Sequence, residues 1–271
     1  MNKIQHFVLT KFNLQSGENF VVDKNNEHTQ SDDWLLHRFN LFEKYCLPSL
    51  GAQTNKKFQW FLFFDKETPH IFRQRINEAK SICPQIKIFY IEGLGDIAAT
   101  VNQNIDDDTD ITITTRIDND DAFKNDALDV IRIEAQKTQS DLCVNLQFGF
   151  SFNGESIETF SSSHNPFSSL VEHKKQKPYA TIFGKKHGKI HQLAQVKQIT
   201  TGPHWLMLVH DRNIVNRMPS EYKAYRAWEW SRLKRYLRKY FLPRIRRFFW
   251  PAEIKKRYSV EELNDIFNIK L

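Results

Sequence analysis

A chain of 271 residues with 40% hydrophobic content and a net charge of +7 is long enough to bury the core of one α/β domain with an appendage. Its three cysteines, Cys46, Cys83 and Cys143, are scattered and odd in number, which excludes a disulfide framework or a cysteine metal site and fits a reducing compartment. No apolar run approaches the about 20 residues that span a bilayer, and the N-terminus lacks the pattern of a signal peptide, so a cytoplasmic protein is expected.

The elements follow in chain order. His6 to Phe12 reads as a buried strand, and the polar stretch from Asn13 to Asp33 as a loop. Ser31, Asp32 and Asp33 are N-cap candidates for a helix starting near Trp34, with Leu35, Phe39, Phe42 and Cys46 at helical spacing and Pro48 disturbing its end. Phe58 to Phe64 is a second buried strand, stopping at Asp65, and Pro69 opens a helix to about Ser81. Ile86 to Ile91 is a third strand, after which Asp96 caps a short helix. Ile111 to Ile117, rich in β-branched residues, is a fourth strand running into Asp118-Asn119-Asp120-Asp121, and a helix follows from about Lys124 to Lys137. Leu142 to Phe152 and Thr200 to His210 read as later strands, with a polar, loop-rich stretch from Ser161 to Gly188 between them. The alternation predicts a Rossmann-like α/β fold with a mostly parallel central sheet.

In such a sheet, ligands bind beyond the carboxyl ends of the strands. Two strands here end in carboxylates, at Asp65 and at the Asp118 to Asp121 cluster. Three carboxylates within four residues repel one another, but they suit a divalent cation that bridges a diphosphate. The plain alternative is a solvated acidic turn capping the next helix, which is how Asp106, Asp107 and Asp108, lying before their strand, are read.

Three segments resemble the large inverting family of GT-A glycosyltransferases. They are Cys46 to Thr54 with the following strand to Asp65, Gly95 to Asn102, and Arg116 to Ala122. The wording HFVLTKFN, YCLPSLGAQT and TRIDNDDAF is closer still to a bacterial rhamnosyltransferase family, over residues 5 to 125 and more weakly over 200 to 235. The resemblance implies a GT-A-like fold, transfer of a sugar from a nucleotide-sugar donor to a glycan or lipid-linked glycan, and a Mn²⁺ or Mg²⁺ cofactor. It implies nucleotide-sugar contacts for Thr10, Asp65, Asp96 and Asp118, with Asp65 on the base and Asp118 near the ribose. It implies metal ligation by Asp120 and Asp121. The family often carries an arginine near Ala99, absent here, and either Arg116 is expected to supply that charge or the metal alone to suffice.

Inverting transfer also needs a general base for the acceptor hydroxyl. Asp211, Glu221 and Glu229 lie at the expected remove, and Glu229, between Trp228 and Trp230, is preferred, with Asp211 second. His210 is the candidate to complete the metal shell, ahead of His204.

Residues 1–222 are expected to form the catalytic domain, with a nucleotide-sugar half over 1–125 and an acceptor half over 126–222. Residues 223–271 are expected to form a basic helical extension. From Arg226 to Arg257 there are twelve Lys and Arg against two Glu, a net of +10, so the remainder carries −3. Cations interleaved with aromatics can lie on an anionic membrane surface, or the aromatics can pack on the domain. No nucleic-acid-binding signature is present. Two rival readings are a sugar nucleotidyltransferase, which residues 9–20 disfavour for want of a Gly-rich loop, and a non-enzymatic polyanion-binding module.

Overall fold

The computed structural model describes residues 2–14, 22, 28–174, 178–213, 216–221 and 258–270. A nine-stranded sheet runs in the order β3-β2-β1-β4-β8-β6-β9-β5, with β7 (Ile157–Ser161) pairing β6. The first four strands, β1 (Ile4–Lys11), β2 (Gln59–Asp65), β3 (Ile86–Ile91) and β4 (Ile111–Arg116), pair parallel with one another. Beyond β4 the sheet turns antiparallel through β8 (Ser168–His173) and β6 (Leu142–Phe152). The long β9 (Gln195–Leu208) then pairs parallel with β6 and antiparallel with the short β5 (Ala122–Phe123).

The parallel strands are apolar throughout because both of their faces are covered. Val8, Trp60, Leu62 and Phe64 point into one core. Phe7, Leu9, Phe61 and Phe63, one residue out of step, point into a second core on the opposite face. The helices follow the strands much as read: α1 (Asp32–Leu41), α2 (Leu47–Gly51), α3 (Arg73–Ile82), α4 (Asp96–Gln103) and α5 (Ala127–Lys137). Ser31 caps α1, its Oγ accepting from the Trp34 amide at 3.2 Å. Pro48 does not break this helix. The backbone widens into a π-helical turn over Phe42–Cys46 and continues as α2, an adjustment that accommodates a proline lacking an N–H.

Two differences from the sequence expectation bear on architecture. The polar stretch 161–188 contains β8, which lies inside the sheet between β4 and β6. Its Ser168, Ser169 and Glu172 are buried but bonded, Ser168 to Asn145, Ser169 to Thr115, and Glu172 to the amides of Ala180 and Thr181. The second difference concerns the C-terminus. Residues 258–270 carry a capped helix, α6 (Val260–Phe267), that packs into the domain. Leu263 and Phe267 are fully buried with Ala122, Phe150 and Leu206. This helix of the expected extension thus packs into the domain core. The basic segment to Arg257 lies outside the described residues, and no described helix is long and apolar enough to cross a membrane.

Candidate functional site

The strand order places β1 between β2 and β4, whose connections leave in opposite directions along the sheet, and the carboxyl ends of β1 and β4 flank the resulting crevice. A cleft of about 470 Å³ opens there. Lys11, Phe12, Asn13 and Leu14 line it from the end of β1, and Arg116, Asp118, Asn119 and Asp120 from the end of β4. Trp34 and Arg38 reach in from α1, Ser162, His164 and Asn165 from the segment after β7, His187 from the segment after β8, and Arg212 and Asn213 from the segment after β9.

The two cleft carboxylates are each paired with an arginine. Asp118 lies 3.3 Å from Arg116 Nη2. Burial tends to raise its carboxyl, but Arg116 and Lys11 outweigh that and hold it below the usual carboxylate range. Asp120 Oδ2 accepts from Arg38 Nη1 at 2.7 Å and lies 3.1 Å from His210 Nε2 and 3.3 Å from Asn213 Nδ2. Burial again acts upward on Asp120, and Arg38 with His210 brings it well down, so it is ionised. Arg38 also donates to Asn119 Oδ1, and Asn119 donates to the Phe12 carbonyl, which ties the β4 end to the β1 end. Burial depresses the Lys11 ammonium, and burial with Arg116 depresses the His187 imidazolium.

Not every residue singled out in the sequence faces this cleft. Thr10 is fully buried in the sheet, and its Oγ1 accepts from Trp60 Nε1 at 3.0 Å, so it stands behind the site as a structural partner. Asp65 sits at the end of β2, its backbone amide bonded to Asn13 Oδ1 and its Oδ1 taking the Glu67 amide. It is thus one hydrogen bond from a cleft residue. Asp96 closes its own turn, accepting from the amides of Glu92 and Gly93. Asp121 is 1% exposed and turned away: its Oδ1 accepts from the Leu208 amide at 3.0 Å, holding β9 to the carboxylate turn. Burial, then the charges of Asp120 and Asp118, push its carboxyl well above the usual range, which favours the neutral acid. Asp211 is exposed beside His210, and Glu229 lies outside the described residues.

Asp120 and Asp121 were expected to hold a divalent cation together with His210, with Asp118 beside them at the ribose. Asp120 and His210 do meet, but Asp118 faces Arg116 and Asp121 faces a backbone amide. A hard cation needs several converging oxygens, and on Asp120 Oδ2 it would have to displace Arg38. As arranged, these residues do not fit the ion. Among the described residues, the ligand atoms that converge are those of His37, His210 and Asp211, a nitrogen-rich set on the other side of the His210 ring.

Arg38 is a cleft residue that the sequence reading passed over. Its signal was available, an arginine within an otherwise apolar helix face two turns after the cap. The partner that gives it meaning is 82 residues away.

Comparison with known proteins gives the following. None of the curated proteins matches the chain. Among solved structures, S. aureus TarS 1–349 in complex with UDP-GlcNAc is similar with a TM-score of 0.44 and 12% identity, over 76% of this chain and 58% of that one. This chain thus spans somewhat over half the length of that relative. The 4-diphosphocytidyl-2C-methyl-D-erythritol synthase of Anaerococcus prevotii is similar with a TM-score of 0.35 and 8% identity, over 84% of this chain and 96% of that one. The family described as "Putative rhamnosyl transferase" matches residues 5–222, four-fifths of the sequence and all of the elements that build the cleft, and the chain belongs to this family of glycosyltransferases.

Proposed function

We propose that the cleft binds a nucleotide-sugar and that the chain transfers its sugar, of the rhamnosyl class by the family's description, to a hydroxyl of a glycan or lipid-linked glycan. One observation carries this reading. Four cationic side chains, Lys11, Arg38, Arg116 and Arg212, and two ionised carboxylates face one cleft at the switch point of a parallel sheet. That balance suits the diphosphate of a donor, while Asp118 offers a carboxylate to the ribose hydroxyls. Asp65, beside Asn13, is the proposed partner of the base.

The reaction is a single displacement with inversion. The acceptor oxygen forms a bond to the anomeric carbon as the bond from that carbon to the diphosphate oxygen breaks. The bonding pair leaves on the nucleoside diphosphate, and the acceptor proton passes to a base. Asp211 is the described candidate for that base, next to the cleft residue Arg212, and Glu229 is the other. Cationic groups fixed around the leaving diphosphate stabilise the charge that develops on it.

Isothermal titration with UDP, GDP, dTDP and CMP tests the donor site. One of them is expected to bind, and Asp118→Ala to weaken it about tenfold or more. Asp65→Ala is expected to weaken binding with a smaller effect on turnover, because base contacts persist into the transition state. Failure of all four nucleotides to bind refutes the reading.

A further inference from the structure

We propose that the positive charge at the end of β4 is Arg38, built into the protein, and that donor binding by this chain needs no divalent cation. The proposal rests on the donor-site reading above and specifies how the diphosphate is held.

The geometry puts the guanidinium where an ion on Asp120 Oδ2 would sit. Arg38 Nη1 is 2.7 Å from Asp120 Oδ2, and Nη2 is bonded to Asn119 Oδ1. The two side chains are 12% and 4% exposed, so this is an interior pair. The same Oδ2 is also approached by His210 Nε2 and Asn213 Nδ2. Three nitrogens thus surround one carboxylate oxygen. Asp121, which would have to contribute the second charged ligand, is held by the Leu208 amide on the far side of the turn.

Arg38 is also placed to act on a ligand. It projects from a capped helix and lies over the Trp34 ring, 5.6 Å from its centroid, so its position is fixed by the fold. Both Arg38 and Arg116 line the cleft, and the Nε–H of each is buried with no hydrogen-bond partner among the described residues. Buried donors of this kind are seldom left unmade, and an anion in the cleft would satisfy them. A guanidinium keeps its charge at every physiological pH and presents a planar fork that matches phosphate oxygens. It can therefore do at the diphosphate what a bridging cation does elsewhere, offset the charge on the leaving group.

The test is nucleotide binding by the full chain, titrated in excess EDTA and again in excess MnCl₂ with the nucleotide that binds. Mn²⁺ binding to the nucleotide-free protein is followed in parallel by its electron spin resonance. The expected result is a Kd that differs by less than about twofold between the two buffers, and no Mn²⁺ site tighter than about 1 mM. Arg38→Ala is expected to weaken the nucleotide about tenfold or more in EDTA, and to recover part of that loss with MnCl₂, because Asp120 is then open to an ion. Circular dichroism checks that the variant is folded. Should it not fold, Arg38→Lys keeps the charge but loses the fork, and it is expected to weaken the nucleotide in EDTA by a smaller factor. Binding that appears only in MnCl₂, or a tight Mn²⁺ site abolished by Asp120→Asn, overturns the proposal and leaves the donor site standing. No binding of any nucleotide in either buffer overturns the donor site, and this proposal with it.

Discussion

Arg38 Nη1 and Asp120 Oδ2 lie 2.7 Å apart across 82 residues of sequence, and the contact joins the first helix to the carboxylate turn after the fourth strand. Both groups have left bulk water. Removing one partner strands the other, whereas removing both does not. Arg38→Met alone is expected to cost about 3–5 kcal/mol, and Asp120→Asn alone a comparable amount. The Arg38→Met/Asp120→Asn double variant is expected to lose clearly less than the sum, with a coupling of about 1–3 kcal/mol. Urea unfolding of the four proteins measures this, and strict additivity would show that the pair contributes nothing as a pair.

Gly149 is required by an aromatic ring. A Cβ built at this position in β6 would lie 2.1 Å from a ring carbon of Trp205. Trp205 cannot easily yield. It is fully buried, its ring stacks on Phe167 with centroids 4.4 Å apart, and its Nε1 donates to the Leu146 carbonyl at 2.7 Å. Gly149→Ala is therefore expected to destabilise by at least about 1–3 kcal/mol, seen as a fall in Tm. Replacing Trp205 by Leu in the same background is expected to relieve part of the clash. An unchanged Tm in Gly149→Ala would show that the sheet shifts freely here.

The first four strands were legible because each is a single dense run, such as FQWFLFF, bounded by polar residues, and a parallel strand with both faces covered must look like that. The carboxylate turn was legible for the same reason: it follows directly from the fourth strand. β8 was not, because Ser168, Ser169 and Glu172 are polar, and their burial is made tolerable by hydrogen bonds to residues that a local pattern does not reveal. The orientations within DNDD were hidden as well. Whether Asp121 faces the cleft or β9 depends on Leu208, 87 residues on. Thr10 was placed at the right strand end, but the side of the strand it occupies is set by the Trp60 indole.

The docking of α6 changes how the basic segment can be examined. Phe267 packs edge-on against Phe150, centroids 6.2 Å apart, and Leu263 is fully buried beside it. Truncation before Leu233 removes these side chains too, and it is expected to lower Tm whatever the basic residues do. Replacing Arg238, Lys239, Arg246 and Arg247 with Ser instead leaves α6 in place. If the segment meets anionic lipid, this fourfold variant is expected to keep its Tm and nucleotide affinity, and to sediment less with phosphatidylserine vesicles. Added salt should weaken the wild-type interaction by screening. Equal sedimentation of the two proteins would remove the membrane reading.

Asp121 and Asp120 are neighbours with opposite electrostatics, and pH separates them. The folded state depresses the Asp120 carboxyl, so its stabilising contribution is present above the ordinary carboxylate value of about 3.9 and is lost as pH falls toward the folded value. The folded state raises the Asp121 carboxyl through burial and its two acidic neighbours. Its contribution is full below about 3.9 and is lost as pH rises through the folded value, because a buried charge must then form. Asn at this position keeps an oxygen for the Leu208 amide and never ionises. Asp121→Asn is therefore expected to match or exceed the wild type in Tm, with the difference growing in its favour as pH rises above about 4. It is also expected to keep nucleotide affinity, since the side chain faces β9 and not the cleft. Asp120→Asn is expected to behave oppositely, losing stability most at neutral pH. Scanning Tm from acid to neutral pH and titrating nucleotide into both variants measures the two. Loss of nucleotide binding in Asp121→Asn would return this carboxylate to the donor site.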